Sequence, residues 1–194
     1  MKRHSRSQNA NGQSVIELAL IMPLLLVLVL GVVEVSYAVL DQHVVTRLTR
    51  EGSNLISRDT SLQDTALALR DMASRPVDLS KGSRLILSVV KKGATPGTNN
   101  YNKEFLYQRY EYGPLSASSG LKTKGSGVFG GAPNYQAANG DTDTRLQLTN
   151  LPAGLVTTGG FLYVTEIFTA HPLITPFDRF GVAMPTTLYS IAYF

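Results

Sequence analysis

The stretch of sequence that decides the fold runs from Gly12 to Glu34 and reads GQSVIELALIMPLLLVLVLGVVE. No charged side chain lies between Leu18 and Val33. At a rise of about 1.5 Å per residue, a helix from Val15 to Leu40 would be roughly 39 Å long, which exceeds the about 30 Å of a bilayer's hydrocarbon core. The sequence therefore predicts one membrane-spanning helix over about residues 15–40.

A carboxylate lies at each end of this apolar run. Glu17 precedes it and Glu34 follows it, and we expect Glu34 near the outer membrane interface. A carboxylate costs about 2.5 to 3.5 kcal/mol at mid-bilayer and less near the interface, so Glu17 calls for a cationic partner. Cutting the chain between Gly12 and Gln13 would create one, because the new α-amine of Gln13 would lie one helical turn, roughly 6 Å along the axis, from Glu17.

The residues before Gly12 form a short basic leader. Lys2, Arg3 and Arg6 carry three positive charges there, which predicts that the leader stays on the cytoplasmic side of the membrane. The formal net charge of +4 includes these three, so removal of residues 1–12 leaves 15 basic against 14 acidic side chains. A nearly neutral mature chain gives little support for nucleic-acid binding, and we expect none.

The leader charge, Gly12, Glu17, Pro23 and Glu34 occur in register along the chain. This arrangement resembles the class III signal of type IV pilins and pseudopilins, and most closely the TadE-like minor pseudopilins of tight-adherence (Flp, type IVb-like) pilus systems. The resemblance implies that a prepilin peptidase cuts after Gly12. It also implies that Glu17, at mature position five, pairs with the Gln13 α-amine of a neighbouring subunit during pilus assembly.

The resemblance further implies partners and a location. The partners would be other pilins or pseudopilins along the N-terminal helix, the prepilin peptidase, the inner-membrane pilus assembly platform and the lipid bilayer. The mature chain would be a single-pass protein of the bacterial inner membrane with a cytoplasmic N-terminus and a periplasmic head. Entry into an extracellular pilus, a tip position and retention in the assembly complex stay open. Leu18, where major Flp pilins carry tyrosine, and the length of 194 residues favour a minor component.

Other interpretations stay open at this point. Ser14 and Glu17 match a helix capping box, Ser-x-x-Glu. Residues 36–38, Ser-Tyr-Ala, form a passable signal-peptidase site, which would make Val39 the first mature residue. At the level of function, the alternatives are a minor pseudopilin of a type II secretion system and a membrane-anchored adhesin or binding protein.

The first helix is predicted to run from about Ser14 to about Ser57. A bend or loosening is expected at Pro23, because proline removes one backbone hydrogen bond. Beyond Glu34 the pattern becomes amphipathic, and we expect its apolar stripe to pack on the head while four charged side chains turn elsewhere. The stripe consists of Tyr37, Leu40, Val44, Leu48 and Leu55, and the charged residues are Asp41, Arg47, Arg50 and Glu51.

The rest of the chain predicts an α+β fold of lollipop pilin architecture, in which a long helix carries a small antiparallel-sheet head with one short additional helix. That helix should span about residues 61–73, from the start signal Ser61-Leu-Gln-Asp64 to the Arg75-Pro76 stop. The domain boundaries are then 1–12 for the cleaved leader, 13–57 for the helix and 58–194 for the head. Four runs rich in β-branched and aromatic residues predict strands: Arg84–Val90, Phe105–Tyr112, Phe161–Ala170 and Thr187–Phe194.

A long glycine-rich loop, residues 113–144, interrupts the predicted sheet. It holds almost no aliphatic side chains, so we expect a surface loop or binding element that contributes little to the core. Tyrosines lie in and beside the loops, and half-buried packing is their favoured interpretation over a contact surface. They are Tyr101, Tyr107, Tyr110, Tyr112 and Tyr135.

No motif in the sequence predicts an enzyme, a metal site or a cofactor. Gly125 to Gly130 match G-x-G-x-x-G but without the strand and helix that a dinucleotide site requires. Residues 139–143 hint at a calcium loop, yet an Asx-type turn is the simpler interpretation. The chain contains no cysteine. Its three histidines share no ligand spacing and are expected to be solvated or partly packed: His4, His43 and His171.

Overall fold

The computed structural model describes residues 8–152, 154–175 and 185–194, with side chains from residue 12 onward. Two helices, α1 (Gln8–Ser57) and α2 (Leu62–Met72), precede a four-stranded sheet. The strands are β1 (Ser83–Lys92), β2 (Glu104–Tyr112), β3 (Phe161–Ala170) and β4 (Thr187–Tyr193), and a 3-10 turn spans Thr144–Leu146. The predicted α+β fold class is confirmed, and each predicted strand is present within two residues of its expected ends.

The chain divides into two compact units, which are described separately. One comprises Met1–Val39 with Leu173–Met184, and the other comprises Leu40–Pro172 with Pro185–Phe194. Of the predicted leader, residues 1–7 lie outside the described residues. Helix α1 begins at Gln8, six residues earlier than predicted.

In the first unit, the apolar part of α1 has almost no protein around it. Leu20 is 74% exposed and Leu24 is 69% exposed. Such contiguous apolar exposure is not found on ordinary soluble surfaces, where it marks an interface with protein or membrane. By length and composition, α1 is the one helix among the described residues that is long and apolar enough to cross a membrane.

In the second unit, the last four turns of α1 bury one face against the sheet and α2. The buried positions follow helical spacing and are Val45, Leu48, Thr49, Gly52, Ser53 and Ile56. At Gly52 an added Cβ would lie 2.8 Å from Thr165 Cγ2 and 2.9 Å from Leu69 Cδ1. The helix therefore approaches β3 more closely than any side chain at position 52 would allow.

The predicted apolar stripe of α1 was wrong in its orientation. Of its five residues only Leu48 is buried, whereas Tyr37 is 48% and Leu40 is 59% exposed. The buried face is rotated because it is built around small and polar residues, Thr49, Gly52 and Ser53, which permit close approach and carry little hydrophobic signal. Ser53 Oγ also donates a 3.0 Å hydrogen bond to the Ala192 carbonyl of β4.

The sheet is fully antiparallel, in the order β2-β1-β3-β4. Central strand β1 is buried on both faces, since Leu85, Ile86 and Leu87 all have 0% exposure. Leu85 and Leu87 pack with α1 and α2 in one core cluster. Helix α2 begins as predicted, because Ser61 Oγ accepts the Asp64 N–H at 3.1 Å.

The other face of the sheet is covered by the long loop and the segment that follows it. Leu121 and Val156 pack there against strand residues Val90, Leu162 and Val164. The expectation that the loop contributes little to the core was therefore wrong, because apolar side chains of the loop such as Leu121 are buried against the sheet.

The same loop protects the outer edge of strand β2. Ala137 N–H donates to the Tyr107 carbonyl at 2.8 Å, and Leu148 N–H, just beyond the loop, donates to the Glu104 carbonyl at 3.0 Å. Edge strands that are covered in this way cannot pair with another chain. The loop therefore acts as a packed layer of the second unit.

Candidate functional site

The residues predicted for processing and charge pairing lie close together on α1. Gln13 Nε2 donates a hydrogen bond to Glu17 Oε1 at 3.1 Å, one helical turn away. In the uncut chain, the side-chain amide of Gln13 is thus a hydrogen-bond donor to the Glu17 carboxylate. The capping-box interpretation is wrong for the uncut chain, because Ser14 lies inside a helix that begins at Gln8. Cleavage after Gly12 and pairing with the Gln13 α-amine stay predictions.

Gly12 occupies an open position on the helix. A Cβ added there would meet no atom within 4 Å. Glycine inside a helix costs roughly 0.5 to 1 kcal/mol relative to alanine, and packing within the described residues does not require it here. The presence of glycine at position 12 therefore has no explanation in the fold of this unit.

Pro23 lies inside α1, in its apolar part. Helical structure is continuous on both sides of it. The large side chains around it are exposed, and Pro23 itself has no backbone N–H to donate within the helix. The bend expected at Pro23 stays a prediction.

Glu34 is a buried charged residue of the first unit. It is only 2% exposed, and its carboxylate accepts hydrogen bonds from Thr175 Oγ1 at 2.6 Å and from Thr175 N–H at 2.8 Å. Both of its oxygens also lie 3.2 Å from the donating Ile174 N–H. Backbone and hydroxyl donors of this kind stabilise a charged carboxylate. Glu34 therefore fastens the segment after β3 to α1.

A second contact to the chain after β3 lies in the other unit. His171 is 3% exposed, and its Nδ1 lies 2.9 Å from Asp41 Oδ2 on α1. The sequence predicted a solvated or partly packed His171 and an Asp41 turned away from the head, and both expectations were wrong. The two residues are 130 positions apart, so local pattern could not pair them.

A buried polar cluster fixes the start of the long loop to the sheet. Glu166 on β3 is fully buried, and it accepts the Gly120 N–H at 2.6 Å, the Tyr189 hydroxyl at 2.9 Å and the Ser119 hydroxyl. Arg109 Nη2 donates to Ser119 Oγ at 2.9 Å. Burial lowers the pKa of Arg109, and the charge of Glu166 opposes that shift. The charged side chains of the cluster, Glu166 and Arg109, are thus hydrogen-bonded within the fold, and the role of the cluster is structural.

Two further sequence candidates have structural explanations. Gly127, in the G-x-G-x-x-G stretch, lies so close to the helical turn after the loop that a Cβ would be 2.0 Å from Leu146 Cδ2. In the segment 139–143, the carboxylate of Asp143 accepts two hydrogen bonds from the Arg145 guanidinium, at 2.8 and 2.9 Å, which lower its pKa. No group of three or more acidic or histidine side chains suited to a metal occurs among the described residues.

Comparison with known proteins bears on the N-terminal segment. No curated protein matches the chain, and no solved structure matches it. A family model does match: that of the TadE-like protein family, over residues 12–54. The matched range begins at Gly12 and contains Gln13, Glu17, Pro23 and Glu34. The resemblance seen in the sequence is confirmed for this segment, in which residues 12–54 are similar to the TadE-like protein family.

Proposed function

We propose that the chain is a minor pseudopilin of a tight-adherence pilus system. The observation that carries the proposal is the TadE-like match over residues 12–54, which coincides with an exposed apolar helix long enough to span a membrane. The α+β head built on the same helix fits a pilin-like subunit. TadE-like chains are associated with Tad pili, and a structural role in assembly requires no catalytic group.

In this proposal a prepilin peptidase cuts after Gly12. The open surroundings of Gly12 support the proposal, because neither packing nor helix stability accounts for glycine at this position. A peptidase that must fit the backbone closely into its active site gives a reason for the missing side chain. The basic leader would keep this bond at the cytoplasmic face of the inner membrane, and the head would lie in the periplasm.

After the cut, Gln13 would carry a free α-amine. The Glu17 carboxylate would then pair with a positively charged amine in place of the Gln13 side-chain amide. The 3.1 Å contact between the Gln13 amide and Glu17 shows that these two positions are within reach inside one helix. Between subunits the same carboxylate would meet the α-amine of a neighbour during assembly. An unpaired charge in low dielectric costs several kcal/mol, so this pairing would select one register of helix against helix.

The test compares two single substitutions in cells that make the pilus. Glu17→Val should abolish assembly while the mature N-terminus is still Gln13 and the protein is still found in the inner membrane. Glu51→Val is the matched control, because Glu51 is an exposed carboxylate on the same helix outside the apolar run. Normal pili with Glu17→Val would contradict the pairing.

Co-purification with other pilin-like chains distinguishes the two assembly machines. Recovery with the pilins and platform of a tight-adherence system supports the proposal. Recovery with the pseudopilins of a type II secretion system would instead assign the chain to that system. The proposed cleavage and charge pairing would be unaffected.

A further inference from the structure

A small cleft opens in the second unit where the end of α1 meets the sheet. Its volume is about 240 Å³. It lies on the face of the sheet that packs against the helices, and its walls come from the turn after α1, from β2 and β3, and from the long loop. Three aromatic and three polar side chains define it: Tyr107, Phe161 and Tyr163, with Asp59, Gln108 and Asn134.

The rings of Phe161 and Tyr163 form an aromatic wall, and the ring of Tyr107 is tilted by 57° against Phe161 at its edge. Tyr107 and Phe161 have ring centroids 5.6 Å apart, and Phe161 and Tyr163 are stacked at 6.4 Å with an interplanar angle of 23°. Phe161 is 44% exposed, and it lies on the opposite face of the sheet from its buried neighbour Leu162. The wall therefore offers an accessible apolar surface the size of a few rings, where a ligand with a flat apolar face can lie.

The polar side chains of the cleft have hydrogen-bonding capacity that the fold does not use. Asp59, Gln108 and Asn134 form no side-chain hydrogen bond with any other described residue. Asp59 and Asn134 are exposed and Gln108 is half-buried, so water can hydrogen-bond to these groups until a ligand replaces it. Convergent polar groups beside apolar walls are the usual composition of a small-ligand site.

Asp59 also occupies a position where the backbone favours glycine. Its φ angle is +63°, and the Thr60 N–H closes the end of α1 by donating to the Leu55 carbonyl at 3.4 Å. Glycine is the usual residue at this helix-terminating position, because it has no Cβ to strain. The carboxylate at position 59 is therefore not explained by the turn it belongs to.

We propose that this cleft binds a neutral saccharide, with one sugar ring seated on the aromatic wall. The apolar C–H face of the ring would cover Phe161 and Tyr163, whose planes differ by 23°. Its hydroxyl groups would donate to Asp59 and exchange hydrogen bonds with Gln108 and Asn134. The volume is below the about 300 to 1,000 Å³ of sites for drug-sized ligands, which suits a single ring. The charged group in the lining is the Asp59 carboxylate. The nearby Lys91 ammonium, 5.2 Å from the Tyr107 ring, is paired with Asp141 at 3.8 Å, so an acidic sugar would be repelled by Asp59.

The inference is independent of the pilus proposal, since it concerns only the second unit. The full chain is purified into nanodiscs of zwitterionic phospholipid, because maltoside detergents would supply a competing sugar. Saturation-transfer NMR and titration then use glucose, galactose, mannose and N-acetylglucosamine, with glucuronate as the charged relative of glucose. At least one neutral sugar should show saturated ring protons, and glucuronate should bind at least tenfold more weakly than that sugar.

Three variants locate the binding. Phe161→Ala should weaken it at least tenfold. Asp59→Gly should do the same without lowering the thermal midpoint, because glycine suits a φ of +63° better than aspartate does. Tyr193→Ala is the matched control, with a similar exposure of 48% on the opposite face of the sheet, and should change the affinity less than twofold.

Three results would overturn the assignment. The first is no saturation transfer to any neutral sugar at millimolar concentration. The second is tighter binding of glucuronate than of glucose. The third is equal weakening by Tyr193→Ala and Phe161→Ala. Because Asp59→Gly is compatible with the backbone, its loss of binding separates a ligand contact from a folding defect.

Discussion

The two halves of helix α1 have the same secondary structure but differ in which side chains they bury. Between Leu18 and Val33 the helix is apolar all round and nearly all of its side chains are exposed, so it is suited to lipid or to other helices. Between Val45 and Ile56 it buries a single narrow face, made of small and polar as well as apolar residues. Hydrophobicity alone therefore does not indicate which half belongs to the protein's own core.

The largest expected difference between the halves comes from removing apolar volume. Leu48→Ala should lower the free energy of unfolding of the head by about 2 to 5 kcal/mol, because Leu48 belongs to the main core cluster. Leu24→Ala should leave it unchanged, because Leu24 is 69% exposed. Tyrosine near-UV circular dichroism of the full chain in nanodiscs, followed in urea, measures both. Equal destabilisation by the two would remove the distinction.

Two of the three glycines of α1, Gly12 and Gly52, have contrasting surroundings. Gly52→Ala should destabilise the head by about 1 to 3 kcal/mol, since its Cβ would lie 2.8 Å from Thr165. Gly12→Ala meets no atom within 4 Å and should only raise helix stability, by up to about 1 kcal/mol. The same urea titration, together with helical circular dichroism, checks both signs. A stable Gly52→Ala variant would mean that α1 does not approach β3 closely.

Glu34 lies between the two halves, and its substitution should have a smaller and local effect. Glu34→Gln replaces charge-assisted hydrogen bonds to Ile174 and Thr175 by neutral ones, a loss of about 1 kcal/mol. Amide hydrogen exchange at Thr175 should become about fivefold faster, while exchange in β1 should not change. Unchanged protection at Thr175 would show that the carboxylate does not hold this segment.

The smallest effect is expected from alkaline pH, and it should be confined to the head. Burial, followed by the charge and hydrogen bond of Glu166, raises the pKa of Tyr189 above its usual value of 10.0. The neutral phenol therefore contributes stability that is complete below pH 10 and is lost as pH rises above it. Tyr189→Phe should make the fall in urea midpoint above pH 10 shallower. An unchanged slope would contradict the contact.

The sequence was informative where structure follows local pattern. The strands, the Ser61 cap and the apolar half of α1 have signals within a few residues, and all were predicted. The buried face of the second half was missed because Gly52 and Ser53 pack closely without being apolar. The partners of Glu34 and Asp41 were missed because they lie about 130 to 140 residues away along the chain.

The long loop is a second region whose buried residues could not be predicted from local composition. Its composition predicted a surface segment, yet Leu121 and Ala137 are buried and Ser119 reaches the carboxylate of Glu166. A few buried side chains can build a packed layer even when the average hydrophobicity over about thirty residues is low. The cleft was equally invisible, because Asp59, Asn134 and Phe161 come from three distant parts of the chain.

The most direct test of the central claim is the mass of the mature protein isolated from its own cells. Cleavage by a prepilin peptidase should give a chain that begins at Gln13, with residues 1–12 removed by a single cut after Gly12. A mature chain that begins at Val39, or one that retains the first twelve residues, would contradict it.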